Sequence, residues 1–184
     1  MYILDYFKYV IEHKKNVFKM AWKRGLYIHA FTHDLSKFGG SEFLPYAKYF
    51  YKDKDKYKHE FKMAWRHHYL NNPHHWQYWL DKNRKPREIP NKYLKQMIVD
   101  WEGMALKFGD TSQNYYLLNY NKIKLTDGTR MELEFELRLN LSIAQNYGHT
   151  LKQFYNLYSE KTFMNKFSWI EAIYDVNLIK LLNN

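Results

Sequence analysis

Tyr6, Val10, His13, Val17 and Met20 recur three and four residues apart, so they line one face of a helix. That face is apolar except for one imidazole. Met97, Asp100 and Met104 repeat the arrangement late in the chain, with a carboxylate between two thioethers. An interior helix face that carries a titratable group must supply it with a partner, because burying a lone charge costs several kcal/mol. The fold therefore has to bring together helices that are far apart in the sequence.

The same period governs most of the chain and predicts an all-α bundle. A first helix is expected over residues 4–24, stopped by Gly25, and a second over 26–36, ending at Gly39-Gly40. Ser41 is the expected N-cap of a short helix through Tyr51, with Pro45 in its first turn. After a charged loop or helix start at 52–58, a helix carries Phe61, Ala64, Trp65 and His68. Asn71-Asn72-Pro73 breaks it and opens another. Residues 82–90 read as a polar loop. Asn91 is the expected cap of the helix bearing Asp100, which ends within 109–113. In 130–141, Met131, Leu133, Phe135, Leu137 and Leu139 alternate as in a strand, although Thr126 could cap a helix there. Residues 151–182 again read as helix. The division expected is a helical domain over 1–141 and a helical extension over 142–184, packed on the same domain.

With 184 residues and 46% hydrophobic content, the chain can bury a substantial core. Cysteine is absent, which excludes disulfides, thiol catalysis and thiolate-ligated zinc. A net charge of +10 attracts polyanions such as nucleotides or nucleic acid, although the lysines are scattered rather than blocked together. No apolar run reaches membrane-spanning length, and residues 1–10 lack a signal-peptide core. The expected location is cytoplasmic, in the producing cell or a host cell, with no membrane partner.

Three doublets carry the chemistry. His33 and Asp34, adjacent on the expected second helix and about a hundred degrees apart, can both reach one ion, with Lys37 a turn further on. His67-His68 and His74-His75 flank the Asn-Asn-Pro corner. Four imidazoles at one corner would repel if protonated, and a bound cation keeps them neutral. An exposed wet corner beside Trp65 and Trp76 is the alternative. A core histidine would account for His13 alone, and a buried salt bridge for Asp100 alone. The ordered set is what points to a metal site. His29 reads as a group behind the ligands, His59 as surface, and His149 as a cap or loop residue.

The order His13, His33-Asp34, His67-His68, His74-His75, Asp100 resembles that of the HD-domain superfamily of metal-dependent phosphohydrolases. The phrases HDLSKFGGSEFLPYAKYFY, AWRHHYLNNPHHWQYW and MIVDWEGM look like an HD-related family of unknown function, and the likeness covers about residues 5–140. The resemblance implies an HD-like helical bundle in which His33, Asp34 and Asp100 hold a primary metal, with His13 matching the superfamily's early histidine. His67, His68, His74 and His75 would serve a second metal or contact phosphate. Lys37 would help to hold the phosphate and Glu42 would stand behind the ligands. The resemblance also favours helix over strand for 130–141.

The expected activity is hydrolysis of a phosphate ester by metal-activated water, with one or two ions of Mn, Fe, Co, Ni, Zn or Mg. The expected partner is an anionic phosphate compound, a nucleotide or an oligonucleotide, with nucleic acid a further candidate. A di-iron oxygenase acting on a small organic substrate and a non-catalytic protein that sequesters a nucleotide or binds nucleic acid are the rival readings.

Overall fold

The computed structural model describes residues 2–139. They form seven α-helices: α1 (Tyr2–Lys23), α2 (Tyr27–Thr32), α3 (Gly40–Tyr51), α4 (Lys58–Asn71), α5 (Asn91–Phe108), α6 (Ser112–Asn119) and α7 (Asp127–Glu136). Single 3₁₀ turns at Leu35–Phe38 and Trp76–Trp79 complete the regular structure. The described residues form no strand, only an isolated antiparallel bridge between Leu80 and Pro86. The fold is all-α, and none of these helices is long and apolar enough to cross a membrane. The helical extension expected over 142–184, and His149, lie outside the described residues.

α1 and α5 form the central pair; α2 and α3 pack on α1, α4 on α3, and α6 on α5. Three apolar clusters hold the bundle. Tyr6, Val10, Tyr46 and Ala64 join α1, α3 and α4. Val17, Ala21, Ala30 and Val99 join α1, α2 and α5. Leu94, Ile98, Tyr116, Leu133 and Leu137 join α5, α6 and α7. On α1, His13 falls between Val10 of one cluster and Val17 of another. On α5, Asp100 falls between Val99 and Trp101, again members of different clusters. The polar core is thus the seam where the apolar cores meet.

Local chemistry accounts for most boundaries. Gly25 takes a φ of 71°, and Leu26 N–H closes α1 by donating to the Ala21 carbonyl at 2.9 Å. Thr126 caps α7 by accepting from the Thr129 N–H. Of the alternating residues, Met131, Leu133 and Phe135 lie in α7 and Leu137 is its C-cap, because the alternation contains two i,i+4 pairs. Leu133 and Leu137 face the core, whereas Met131 and Phe135 are 65% and 77% exposed.

Four expectations need correction. α2 stops at Thr32 rather than continuing to Ser36: His33 is extended (φ −53°, ψ 126°) and Asp34 is left-handed (φ 54°, ψ 29°). The cap of α3 is extended Gly39, whose carbonyl accepts from Phe43 N–H at 2.8 Å; Ser41 lies inside the helix and Pro45 beyond its first turn. After Pro73 the chain makes a turn and one 3₁₀ turn, not an α-helix. Pro90 rather than Asn91 precedes α5, and Asn91 instead hydrogen-bonds Glu132 across to α7.

α1 crosses α5 at Gly103, where a β-carbon would lie 2.5 Å from Val17 Cγ2 and 3.0 Å from Val17 N. A methyl group there must push the central helices apart. Gly103→Ala is expected to cost about 1–3 kcal/mol in urea denaturation. Gly40→Ala, at a helix start with no atom within 4 Å of the added carbon, should be neutral or slightly stabilising.

Candidate metal centre

Five structural elements meet at the seam. α1 brings His13, α4 brings His68, α5 brings Asp100, the turn after α2 brings His33 and Asp34, and the turn after α4 brings His74 and His75. His13, His33, Asp34, His68, His74 and Asp100 are all buried. The left-handed Asp34 is what turns two consecutive side chains inward, since neighbours on a continuous helix would diverge. Aspartate is one of the few residues that adopts this conformation readily. Lys14, on α1, braces the turn from outside: its ammonium donates to the carbonyls of Phe31 at 2.8 Å and His33 at 2.9 Å. These are the carbonyls that the early end of α2 leaves without helical partners.

Asp34 is the hub. Its Oδ2 faces Lys37 Nζ (2.5 Å), His33 Nε2 (3.2 Å) and His13 Nε2 (3.6 Å). Its Oδ1 faces His74 Nε2 (3.3 Å) and His68 Nε2 (3.4 Å). Asp100 Oδ1 closes the first side, 3.1 Å from His13 Nε2 and 3.4 Å from His33 Nε2. His75 Nε2 closes the second, 2.8 Å from His68 Nε2. The result is two sets of four donors, His13–His33–Asp34–Asp100 and Asp34–His68–His74–His75, each with all donor atoms within 4.8 Å of one another.

The residues fit divalent cations. Asp34 Oδ1 and His74 Nε2 are buried without a hydrogen bond. Lys37 neutralises charge at Oδ2 but leaves Oδ1 facing only ring nitrogens. Nε2 of His13 and Nε2 of His33 approach to 3.1 Å, as do those of His68 and His75 to 2.8 Å, so both members of a pair cannot carry a proton at that atom. Nitrogen and carboxylate donors without sulfur suit Mn, Fe, Co, Ni, Zn or Mg.

Electrostatics divides the two sets. Burial alone would lower the His33 imidazole, but the carboxylates of Asp34 and Asp100 outweigh it and push His33 up to about 9. Burial would raise both carboxylates, yet His33 and Lys37 hold Asp34, and His13 and His33 hold Asp100, well below the usual range. On the second side burial wins. It lowers His74 against the pull of Asp34, and, together with His74, it lowers His75 far below the imidazole range. Those two rings are neutral at pH 7 and hold lone pairs ready for a cation.

Glu42, fully buried on α3, stands behind the second set. Its Oε2 accepts from His68 Nδ1 at 2.7 Å and from the Ser36 hydroxyl at 3.0 Å, while Oε1 faces His67 Nδ1 at 2.8 Å. Proton donation from Nδ1 leaves His68 Nε2 as the free nitrogen aimed at Asp34. His67, a candidate ligand on sequence grounds, stands outside both donor sets: it is 48% exposed and turned toward Glu42, because successive helical positions point away from each other. Of the doublet after Pro73, both members join the second set. His59 is exposed on α4.

Two residues at the site were underweighted or missed. His29 lies within donor distance of His33 and His74, its Nε2 buried and unpartnered, and burial with those two neighbours lowers it to about 3. Its signal was the i,i+4 spacing to His33. Lys14 carried no such signal, because its partners are backbone carbonyls.

A cavity of about 360 Å³ opens onto both donor sets through His13, Asp100, His75 and Lys37. Residues 2–139 match the family of unknown function DUF5662, and the chain belongs to that family. No curated protein and no solved structure matches it.

Glu42→Gln tests the tautomer assignment. Long-range ¹H–¹⁵N NMR should show His68 protonated at Nδ1 alone in the wild type and a mixed or Nε2-protonated ring in the variant. His67→Ala should keep the wild-type His68 pattern; an Nε2-protonated His68 in the unsubstituted protein would contradict the geometry.

Proposed function

We propose that this member of the DUF5662 family is a metal-dependent phosphohydrolase built on an HD-like helical frame. The observation that carries the reading is Asp34: one carboxylate, each oxygen facing a different nitrogen-rich donor set, with a lysine ammonium at 2.5 Å and a shared cavity above. Support also comes from the order of the residues, since an early histidine, a histidine-aspartate pair, intervening histidines and a distal aspartate follow one another as in the HD superfamily.

His13, His33, Asp34 and Asp100 would hold one divalent ion, and Asp34, His68, His74 and His75 a second. When bound, the ions would supply Lewis acidity and a water of lowered pKa. The chain's own groups do the rest. Asp34 keeps Lys37 protonated by outweighing the effect of its burial, so the ammonium is available to a phosphoryl oxygen as charge builds there. Apolar side chains along the cavity, including Trp65, Trp101 and Met104, limit bulk water. In the net reaction a water oxygen bonds to phosphorus as the bond to the leaving alcohol breaks. One water proton ends on that alcohol.

The cation beside the shared carboxylate favours phosphate chemistry over a di-iron oxygenase, which has no use for a fixed positive charge at that point. The expected result is two divalent ions per chain by elemental analysis, and hydrolysis of p-nitrophenyl phosphate or its bis-ester with added manganese or cobalt. Asp34→Ala should lose both ions and fall to background. Lys37→Ala should keep the ions and lose about 10²–10³-fold in kcat. Hydrolysis that survives Asp34→Ala would sink the proposed site. Iron with oxygen consumption would favour the oxygenase, and binding without turnover the sequestering role.

A further inference from the structure

His29 belongs to neither donor set, yet it stands against one member of each. It lies one helical turn before His33, whose backbone N–H donates to the His29 carbonyl at 2.8 Å, and the two rings meet edge to face with centroids 4.9 Å apart. His74, from the turn after α4, completes a triangle, with centroids 5.4 Å from His29 and 4.7 Å from His33. One nitrogen from each ring lies within 4.8 Å of the other two. Each ring also has a buried nitrogen without a hydrogen bond: His29 Nε2, His33 Nδ1 and His74 Nε2. Polar atoms left so are costly, and one cation can take a lone pair from each ring. None of the three histidines is among the residues that line the cavity, which sets this group apart from the space above the donor sets.

The group has three imidazoles and no carboxylate, whereas the first donor set has four members with two carboxylates and the second four with one. A divalent ion therefore gains more from either set than from the three rings. A neutral imidazole has a single lone pair for a metal. His33 cannot serve the three-ring group and the first set together, nor can His74 serve it and the second set together. An ion held by the three rings already touches one residue of each destination. Ligand exchange at His33 leads to the first set, and exchange at His74 leads to the second.

We infer that His29, His33 and His74 form a third cation site, a waypoint that zinc-like divalent ions occupy on their way into the two donor sets. This rests on the two-ion reading of those sets and not on the reaction they catalyse. Imidazole donors without carboxylate suit zinc, nickel and cobalt better than manganese or magnesium. The waypoint therefore speeds the loading of the first group of metals more than the second.

Metal uptake by the full chain tests the inference without any measurement of hydrolysis. Metal-free protein is mixed with Co²⁺, the spectroscopic stand-in for zinc, and uptake is followed in stopped flow by visible d–d absorption. Elemental analysis counts the ions at the end point. His29→Phe keeps a flat ring and removes both nitrogens. It should still reach two ions per chain, with cobalt uptake slowed about tenfold or more, the order of the loss in affinity that removing one group around a metal causes. Manganese uptake, followed by loss of the free-ion EPR signal, should change far less. His29→Gln, which is smaller, should give the same result and serves where the phenyl ring disturbs the end point. Two ions taken up at the wild-type rate in both variants would overturn the waypoint and leave the donor sets standing. Equal slowing of cobalt and manganese, or fewer than two ions in both variants, would make His29 a support of the sets and overturn the waypoint. Three ions in the unsubstituted chain would overturn it in favour of a resting site. Fewer than two there would overturn the two-ion reading and the waypoint with it.

Discussion

Asp34 is a buried carboxylate whose Oδ1 accepts no hydrogen bond, in a backbone conformation that most residues avoid. Such a group survives in an interior only when opposite charge surrounds it. Lys37 supplies one cation at Oδ2, and imidazoles from four elements converge on what remains. Much of the bundle can be understood as the means of that convergence. α1 and α5 must cross closely enough to bring His13 to Asp100, and Gly103 permits the crossing by having no side chain where Val17 lies. The chain must leave α2 early so that His33 and Asp34 turn inward together, and Lys14 takes up the carbonyls released by that exit.

The two sides of Asp34 differ in how they balance charge. On the first side a second carboxylate, Asp100, outweighs desolvation and favours positive charge among the nitrogens. On the second side the only additional carboxylate is Glu42, and it addresses Nδ1 of His68 rather than the interior. Burial therefore dominates there, and His74 and His75 are neutral. Of two ions sharing Asp34, one would face two carboxylates and two imidazoles, the other one carboxylate and three imidazoles. A harder, oxygen-preferring cation would suit the first side and a more nitrogen-preferring one the second.

Titratable residues on apolar faces were legible in the sequence because period and polarity conflict at His13 and Asp100, and only an interior partner resolves the conflict. The end of α1 was legible because Gly25 is nearly the only residue type that suits its conformation. The break after Thr32 was not, since nothing in HDLSK opposes helix and the left-handed aspartate is imposed by packing around it. The ranking of His67 against His68 was equally hidden: the two are neighbours, and helical phase relative to α1 and α3 decides which one points inward. In 130–141 a period-two pattern concealed two helical pairs, with the exposed Met131 and Phe135 supplying the false strand signal. Lys14 acts on backbone carbonyls, and side-chain patterns do not report such contacts.

The net charge of +10 and the composition of the cavity point in different directions, and both can hold. Long-range attraction is a sum over the whole surface, so scattered lysines draw in any polyanion and raise its encounter rate. Selection inside a cavity depends on the few groups within hydrogen-bonding or stacking distance, and among the described residues Lys37 is the one lysine or arginine that lines this cavity. Screening at physiological ionic strength weakens the first effect beyond about 8 Å and leaves the second largely intact. A basic surface is therefore poor evidence for a polyanionic substrate. What the cavity admits is decided by its own lining, which in this chain is largely aromatic and apolar.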